Sequence, residues 1–257
     1  QPSEAERRDF VVRNTLLRTT PGLPEIRLHL ADEVVPIWEM TEEELGVAGV
    51  DPPFWAFAWA GGQGVARYLL DHPGTVAGRR VLDLAAGSGL AGIAARKAGA
   101  AQVTVADVDP YALTAAQLNA QANGVSVRTV RGDLLAHAWP VDWPGRASVD
   151  GPPGTAHAVG GPVDLPVDVQ VILAGDVCYE RAMAERMLGW LRAAARCGVT
   201  VLLGDPQRRY LDRRGLVALA AYDMPTIPDL EETDVKRVTV YRMDPAGGAT
   251  PGDGARQ

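Results

Sequence analysis

The chain reads as an α/β protein whose strands form a mainly parallel sheet with an antiparallel end. Three features point that way. Short runs rich in Val, Leu and Ile alternate with Ala-rich amphipathic stretches, the pattern of successive βαβ units. A glycine-rich turn separates the first of these strands from the helix after it, as in sheets that bind nucleotide-type ligands. The last run, 237–243, alternates Val238 and Val240 with Arg237 and Thr239, as a half-exposed antiparallel strand requires.

Strands are expected at 80–84, 102–107, 125–130, 169–174 and 199–204, each apolar enough for burial on both faces, and then at 216–222 and 237–243. Asp109 followed by Pro110 supplies a helix N-cap and a first-turn proline, and Asn123-Gly124 closes that helix. Stretch 180–196 carries Met183, Met187, Leu188, Leu191 and Ala195 on one face and stops before Gly198, which predicts a helix lying on the sheet with these methionines in the core. A further helix is expected at 63–70. Upstream, 25–31 and 34–40 read as a hairpin, and Thr41-Glu42-Glu43-Glu44 as a capping box that opens a short helix. The chain thus divides into an N-terminal extension and substrate-side lid (1–60), a main domain (61–244) with a Gly- and Pro-rich insertion at 136–167, and a poorly ordered tail (245–257).

Composition narrows the function classes. With 47% hydrophobic and 22% charged residues the chain is neither a disordered acidic polymer nor a fibre. A net charge of −7 argues against a general nucleic-acid binder, whose surface must neutralise phosphates. Cys178 and Cys197 are the only cysteines, and His29, His72, His137 and His157 have no metal-ligand spacing. Neither a disulfide framework nor a metal is expected, and the reducing cytoplasm is the expected compartment. No apolar run is long enough to span a bilayer, and residues 1–10 lack a signal-peptide core, so neither a membrane partner nor export is expected.

The glycine turn carries the first chemical signal. Strand 80–84 runs into Ala85-Ala86-Gly87-Ser88-Gly89-Leu90-Ala91-Gly92, where glycines allow a sharp turn and the next helix offers free N–H groups. Gly87-x-Gly89-x-x-Gly92 also fits a dinucleotide fingerprint. Charge distinguishes the two ligands. Asp83, four residues before Gly87, would repel a pyrophosphate, whereas the ammonium and sulfonium of S-adenosylmethionine favour an acidic pocket. Asp107 ends the second strand, where a carboxylate can accept from both ribose hydroxyls, and Asp109 is better explained as the helix cap. Asp133, in Arg131-Gly132-Asp133-Leu134, stands beside the same crevice and is a candidate acceptor for an adenine amino group, or else a turn former.

Two clusters stand at the acceptor side. Phe54, Trp55, Phe57 and Trp59 bring four of the chain's fifteen aromatics into six residues, just before Ala60-Gly61-Gly62-Gln63. Such rings can wall a site and stabilise a cation, or can fasten the extension to the core, and a Gly-Gly-Gln helix start can bind a carboxylate. The fourth strand leads into Gly175-Asp176-Val177-Cys178-Tyr179. Ligands of open α/β sheets bind outside the C-terminal strand ends, so Asp176 and Tyr179 should face the reacting centre, with Asp176 alternatively a helix cap. An amine must lose its proton before it attacks a methyl group; Asp176 can orient the nitrogen and pass the proton to water, with Tyr179 hydrogen-bonding nearby. Cys178 has no histidine to activate it and reads as packing.

These residues resemble a known family. Pro24-Glu25-Ile26, the stretch 52–63, Leu118-Asn119-Ala120-Gln121-Ala122-Asn123-Gly124 and Gly175-Asp176-Val177-Cys178-Tyr179 are similar to the electron-transfer-flavoprotein β-subunit lysine methyltransferases, over roughly residues 10–243. The resemblance implies a Rossmann-like seven-stranded class I methyltransferase sheet of order 3-2-1-4-5-7-6 with the last strand antiparallel. It implies S-adenosyl-L-methionine as donor, S-adenosyl-L-homocysteine as product, and protein lysine side chains as acceptors. Carried over, it puts Trp59, Ala85, Gly87, Asp107, Leu134 and Gly175 at the donor and Asp176 and Tyr179 at the lysine. Gln63, Asp83, Gly89 and Asp133 complete the expected donor set, and Gly204-Asp205-Pro206-Gln207-Arg208 borders the substrate entrance. The insertion 136–167, with His137, Trp139, Trp143 and His157, is longer than the family's usual connection and lies near the acceptor.

The leading expectation is S-adenosylmethionine-dependent methylation of protein lysines, with the electron-transfer flavoprotein β-subunit as the expected partner. Methylation of a small amine or heteroaromatic nitrogen is the alternative, favoured by a closed pocket under the insertion. An NAD(P)-dependent oxidoreductase and a noncatalytic donor-binding module are the other classes the glycine turn allows.

Overall fold

The computed structural model describes residues 2–31, 52–137, 168–226, 231 and 233–246. Helix α1 (Glu4–Asn14) opens on a capping box, in which the Ser3 hydroxyl accepts the Glu6 N–H and the Glu6 carboxylate accepts the Ser3 N–H. Strands β1 (Leu16–Thr20) and β2 (Leu23–Leu30) pair as an antiparallel hairpin across Pro21-Gly22, with Gly22 at a φ of +70°. The sequence reading paired the β2 region with 34–40 downstream, which lies outside the described residues; within them the partner of β2 is β1. The Pro-Gly turn makes the upstream partner the local one. Residues 34–40, the capping box at 41–44, nearly all of the insertion and most of the tail lie outside the described residues.

The main domain runs α2 (Ala60–Asp71), β3 (Arg80–Leu84), α3 (Leu90–Lys97), β4 (Gln102–Asp107), α4 (Pro110–Ala122), β5 (Arg128–Arg131), β6 (Val171–Gly175), α5 (Arg181–Arg196), β7 (Thr200–Asp205), β8 (Leu216–Pro225) and β9 (Val235–Met243). Seven strands form one sheet of order β5-β4-β3-β6-β7-β9-β8. Strands β3 to β7 are parallel, and β9 is antiparallel to both β7 and β8. Numbered within the sheet this is 3-2-1-4-5-7-6, the expected order.

Strand alternation divides the core into two layers. Val81, Val103, Val105, Val171 and Leu173 face α2, α3, α4 and the hairpin, whereas Leu82, Leu84, Ile172, Val201 and Leu203 face α5. Helix α5 covers its side with Met187, Leu188 and Leu191. Met183, expected beside them in the core, is only partly buried and lines the cavity described below. Asp109 caps α4, accepting the Tyr111 N–H at 2.7 Å with Pro110 in the first turn. Glu180, rather than Asp176, caps α5.

Helix α4 also tethers the hairpin. Asn119 Oδ1 accepts the His29 N–H at 2.7 Å and its Nδ2 donates to the Ser88 carbonyl at 2.9 Å. Asn123 takes the Arg27 N–H at 3.1 Å and donates to the Arg27 carbonyl at 2.6 Å. Two side-chain amides thus occupy backbone groups along the edge of β2 away from β1. No helix among the described residues is long and apolar enough to cross a membrane.

Candidate active site

A cavity of about 590 Å³ opens at the C-terminal ends of β3, β4, β6 and β7, between them and the aromatic segment 52–59. The backbone is strained around it. Ala85, Asp176 and Gln207 are the non-glycine residues with positive φ among those described (+52°, +61° and +66°), and they follow the ends of β3, β6 and β7. Such conformations cost on the order of 1–3 kcal/mol each and persist where surrounding contacts enforce them.

At the β3 end the three glycines have different tasks. Gly87 (φ +50°) needs its glycine for conformation rather than space, because an added Cβ would meet nothing nearer than 3.8 Å. Its N–H donates to Asp107 Oδ2 at 2.9 Å, which ties the loop to the end of β4. Gly89 (φ +75°) needs both, since a Cβ would stand 2.7 Å from that of Ala116 on α4. Gly92 lies under the strands and donates its N–H to Asp83 Oδ2 at 2.7 Å.

This end is acidic and undercompensated. Burial pushes Asp83 up to about 7 against the Gly92 N–H bond, with the Asp107 charge adding to the rise. Burial also raises Asp107, although the Asp109 and Gly87 N–H groups oppose it, and pushes Asp109 up to about 6. Three carboxylates of raised pKa around one cavity favour a cation or hydroxyl donors there and disfavour a phosphate.

At the β6 and β7 ends, α2 sits backbone against backbone on the sheet. A Cβ on Gly175 would lie 2.6 Å from the Gly62 Cα, and one on Gly61 would lie 2.4 Å from the Asp176 nitrogen. The start of α2 does bind a carboxylate, and that carboxylate is Asp176, whose Oδ2 accepts the Gly61 N–H at 3.2 Å. Its Oδ1 pairs with Arg208 Nε at 2.6 Å, and the Arg208 fork closes on Glu231 at 2.6 and 3.3 Å. Burial pushes the Asp205 carboxyl up to about 6 and the Cys178 thiol up to about 12, which leaves that thiol inert.

The four clustered rings divide their roles. Trp55 and Phe57 are buried, and Trp55 stacks on Tyr111, which meets Phe10 of α1 edge-on. They fasten the extension to the domain, and Trp55 and Phe57 also line the cavity. Phe54 is 38% exposed, lies 5.6 Å from Trp59 and 5.8 Å from Tyr179, and accepts the Trp59 indole N–H at its carbonyl. These three rings stand at the cavity beside Asp176.

Of the residues expected at the site, Trp59, Asp83, Ala85, Gly87, Asp107, Gly175, Asp176 and Tyr179 line this cavity. Four others do not. Gln63 is buried on the far side of α2, where its Nε2 donates to the Ala58 and Pro225 carbonyls at 2.7 and 2.9 Å. Gly89 is a helix N-cap packed on α4. Asp133 caps a 3-10 turn through the Leu135 N–H and pairs with Arg186 at 2.7 Å, and Leu134 is core under α5. Glu231 lines the cavity but stands between strands, in no motif spacing that sequence reading could have used.

A seven-stranded sheet with β9 reversed, a glycine turn after the first strand and a carboxylate ending the second define a class I methyltransferase. Residues 69–142 match the family described as ribosomal protein L11 methyltransferase. The chain is 32% identical to the electron transfer flavoprotein beta subunit lysine methyltransferase of Danio rerio, over 94% of this chain and 85% of that one. It is 33% identical to the Xenopus laevis protein of the same name, over 93% and 87%. The Caenorhabditis elegans homolog is 31% identical over 82% and 81%. The chain belongs to the electron transfer flavoprotein beta subunit lysine methyltransferase family.

Proposed function

We propose that the chain transfers methyl groups from S-adenosylmethionine to lysine side chains of a protein, the electron transfer flavoprotein β-subunit first among candidates. The observation that carries this reading is one cavity with undercompensated carboxylates at its β3 and β4 side and an aromatic-walled carboxylate, Asp176, at its β6 side. A cationic donor fits the first and an amine the second. The names of the relatives supply the substrate class.

The donor, when bound, supplies a methyl group on a sulfonium, a good leaving group for in-line transfer. Asp107 is the residue suited to its ribose, because a carboxylate has about four acceptor sites and two are taken by the Gly87 and Asp109 N–H groups. Asp83 supplies negative charge toward a cation. Phe54, Trp59 and Tyr179 wall the route by which an aliphatic lysine stem can enter, and ring faces favour cations. Asp176 orients the amine, and its proton leaves to water.

Incubation with methyl-labelled S-adenosylmethionine and two acceptors, purified electron transfer flavoprotein and the small-molecule filtrate of a bacterial lysate, tests this. Label on a lysine of the β-subunit is the expected result. Label confined to the filtrate would replace the reading by small-molecule N-methylation.

A further inference from the structure

We propose that Arg208 is a positioning residue that neutralises Asp176, so that the site takes up its lysine as the free amine rather than the ammonium. The inference rests on the lysine-methylation reading above. An unpaired carboxylate at the acceptor end would bind an ammonium well and hold it there, and an ammonium has no lone pair with which to attack. Acidity that suits a sulfonium donor therefore works against the acceptor unless the acceptor end is neutralised locally.

The structure supplies that neutralisation. Arg208 and Asp176 both line the cavity, 2.6 Å apart, with side chains 18% and 4% exposed. Arg208 is held from several directions: its N–H donates to Asp205 Oδ1 at 2.8 Å, and its guanidinium also pairs with Glu231. Lys236 of β9 pairs with the same Glu231, so Asp176, Glu231, Arg208 and Lys236 form a group of zero net charge. Among the described residues, Asp205 and Cys178 from the β7 and β6 ends and the N–H of Gly61 from α2 also face it. Tyr179 lines the cavity beside Asp176, and Arg181 and Arg209 flank the Tyr210 ring. Asp205, whose Oδ1 accepts the Arg208 backbone N–H, brings a further carboxyl near Arg208, and burial and the Asp176 charge both disfavour its ionisation. Burial opposes the guanidinium charge, but the bonds to Asp176 and Glu231 hold its pKa above the ordinary value, so it stays charged wherever the enzyme works. The methyl transfer then balances simply. Water takes the N–H proton on binding, the nitrogen lone pair forms the N–C bond, and the C–S pair leaves with the thioether.

The test is kcat against pH at saturating donor and protein acceptor, for wild type, Arg208→Gln, Arg208→Lys and Glu231→Gln, with S-adenosylhomocysteine binding confirming each fold. The kcat profile reports ionisation in the complex. Arg208→Gln should move the acid limb to higher pH by about one unit, a roughly tenfold loss of kcat low on the limb, without raising KM. Arg208→Lys should restore the limb. Glu231→Gln removes a negative charge and should move it the opposite way, so the inference survives the loss of any one variant. An equal loss at every pH in Arg208→Gln, or shifts of the same sign in Arg208→Gln and Glu231→Gln, would overturn it. No lysine label from wild type at any pH would overturn the methylation reading, and this inference with it; wild-type turnover with unmoved limbs overturns this inference alone.

Discussion

Gly204 approaches Gly61 so closely that a methyl group on Gly204 would meet the Gly61 carbonyl oxygen at 2.2 Å. Neighbouring Gly62 has nothing within 4 Å of its own missing Cβ, and lines the cavity. The two glycines of one dipeptide are therefore separable. Gly61→Ala should destabilise the protein by about 3 kcal/mol or more, as overpacking against a backbone does. Gly62→Ala should keep its thermal midpoint and lose donor affinity. Calorimetric scans and donor titrations of both variants check the contrast; equal loss of stability would contradict it.

Asp107 should dominate donor affinity. Asp107→Ala removes the acceptor that orders Gly87 and Asp109 as well as the proposed ribose partner. Charged hydrogen bonds are worth about 1.5–3 kcal/mol each, so titration calorimetry should find at least a tenfold weaker donor.

Asp176→Asn should separate binding from turnover. Asn tolerates the φ of +61° and can still accept the Gly61 N–H, but it loses the charge that meets Arg208. Donor affinity should stay within about threefold while kcat falls by about a hundredfold or more. Full turnover in Asp176→Asn would remove Asp176 from the reaction.

Asp83 makes donor binding and stability depend on pH in opposite senses. Its folded pKa, about 7, lies above its ordinary value of 3.8, so its contribution to stability is complete at low pH and is lost as pH rises through about 7. Asp83→Asn should therefore raise the thermal midpoint of the ligand-free protein at pH 8, by an amount that shrinks toward pH 4. Donor binding runs the other way. A cationic ligand favours the ionised carboxylate, so wild-type affinity should fall as pH drops below about 7, with proton release on binding measurable in buffers of different ionisation enthalpy.

Much of this was legible in the sequence because local chemistry dictated it. The Asp109-Pro110 start of α4, the glycine turn and the strand-end position of Asp107 each follow from short-range rules, and each lies where those rules put it. The misreadings arose where distant contacts decide. Gln63 sits one helical turn from cavity residue Trp59, yet the Pro225 carbonyl, far along the chain, draws it away. The Gly61-Gly62 helix start does bind a carboxylate, as its sequence suggested, but that carboxylate is Asp176, and a second reason for the glycines is a backbone contact with Gly175 and Gly204. The β1 partner of β2 was missed because Leu16–Thr20 has no alternation, with Leu16 and Leu17 both exposed. The ion pairs that fix Asp176 depend on Glu231, which no spacing in the chain connects to it.

Asn119 holds the hairpin with one end of its amide and the glycine turn with the other. The donor loop and the first thirty residues of the chain are therefore not separate modules. Trimming away those thirty residues would free the end of the Asn119 amide that now holds His29 and loosen the side chain that orders Ser88, and a shortened enzyme should lose donor affinity before it loses its fold.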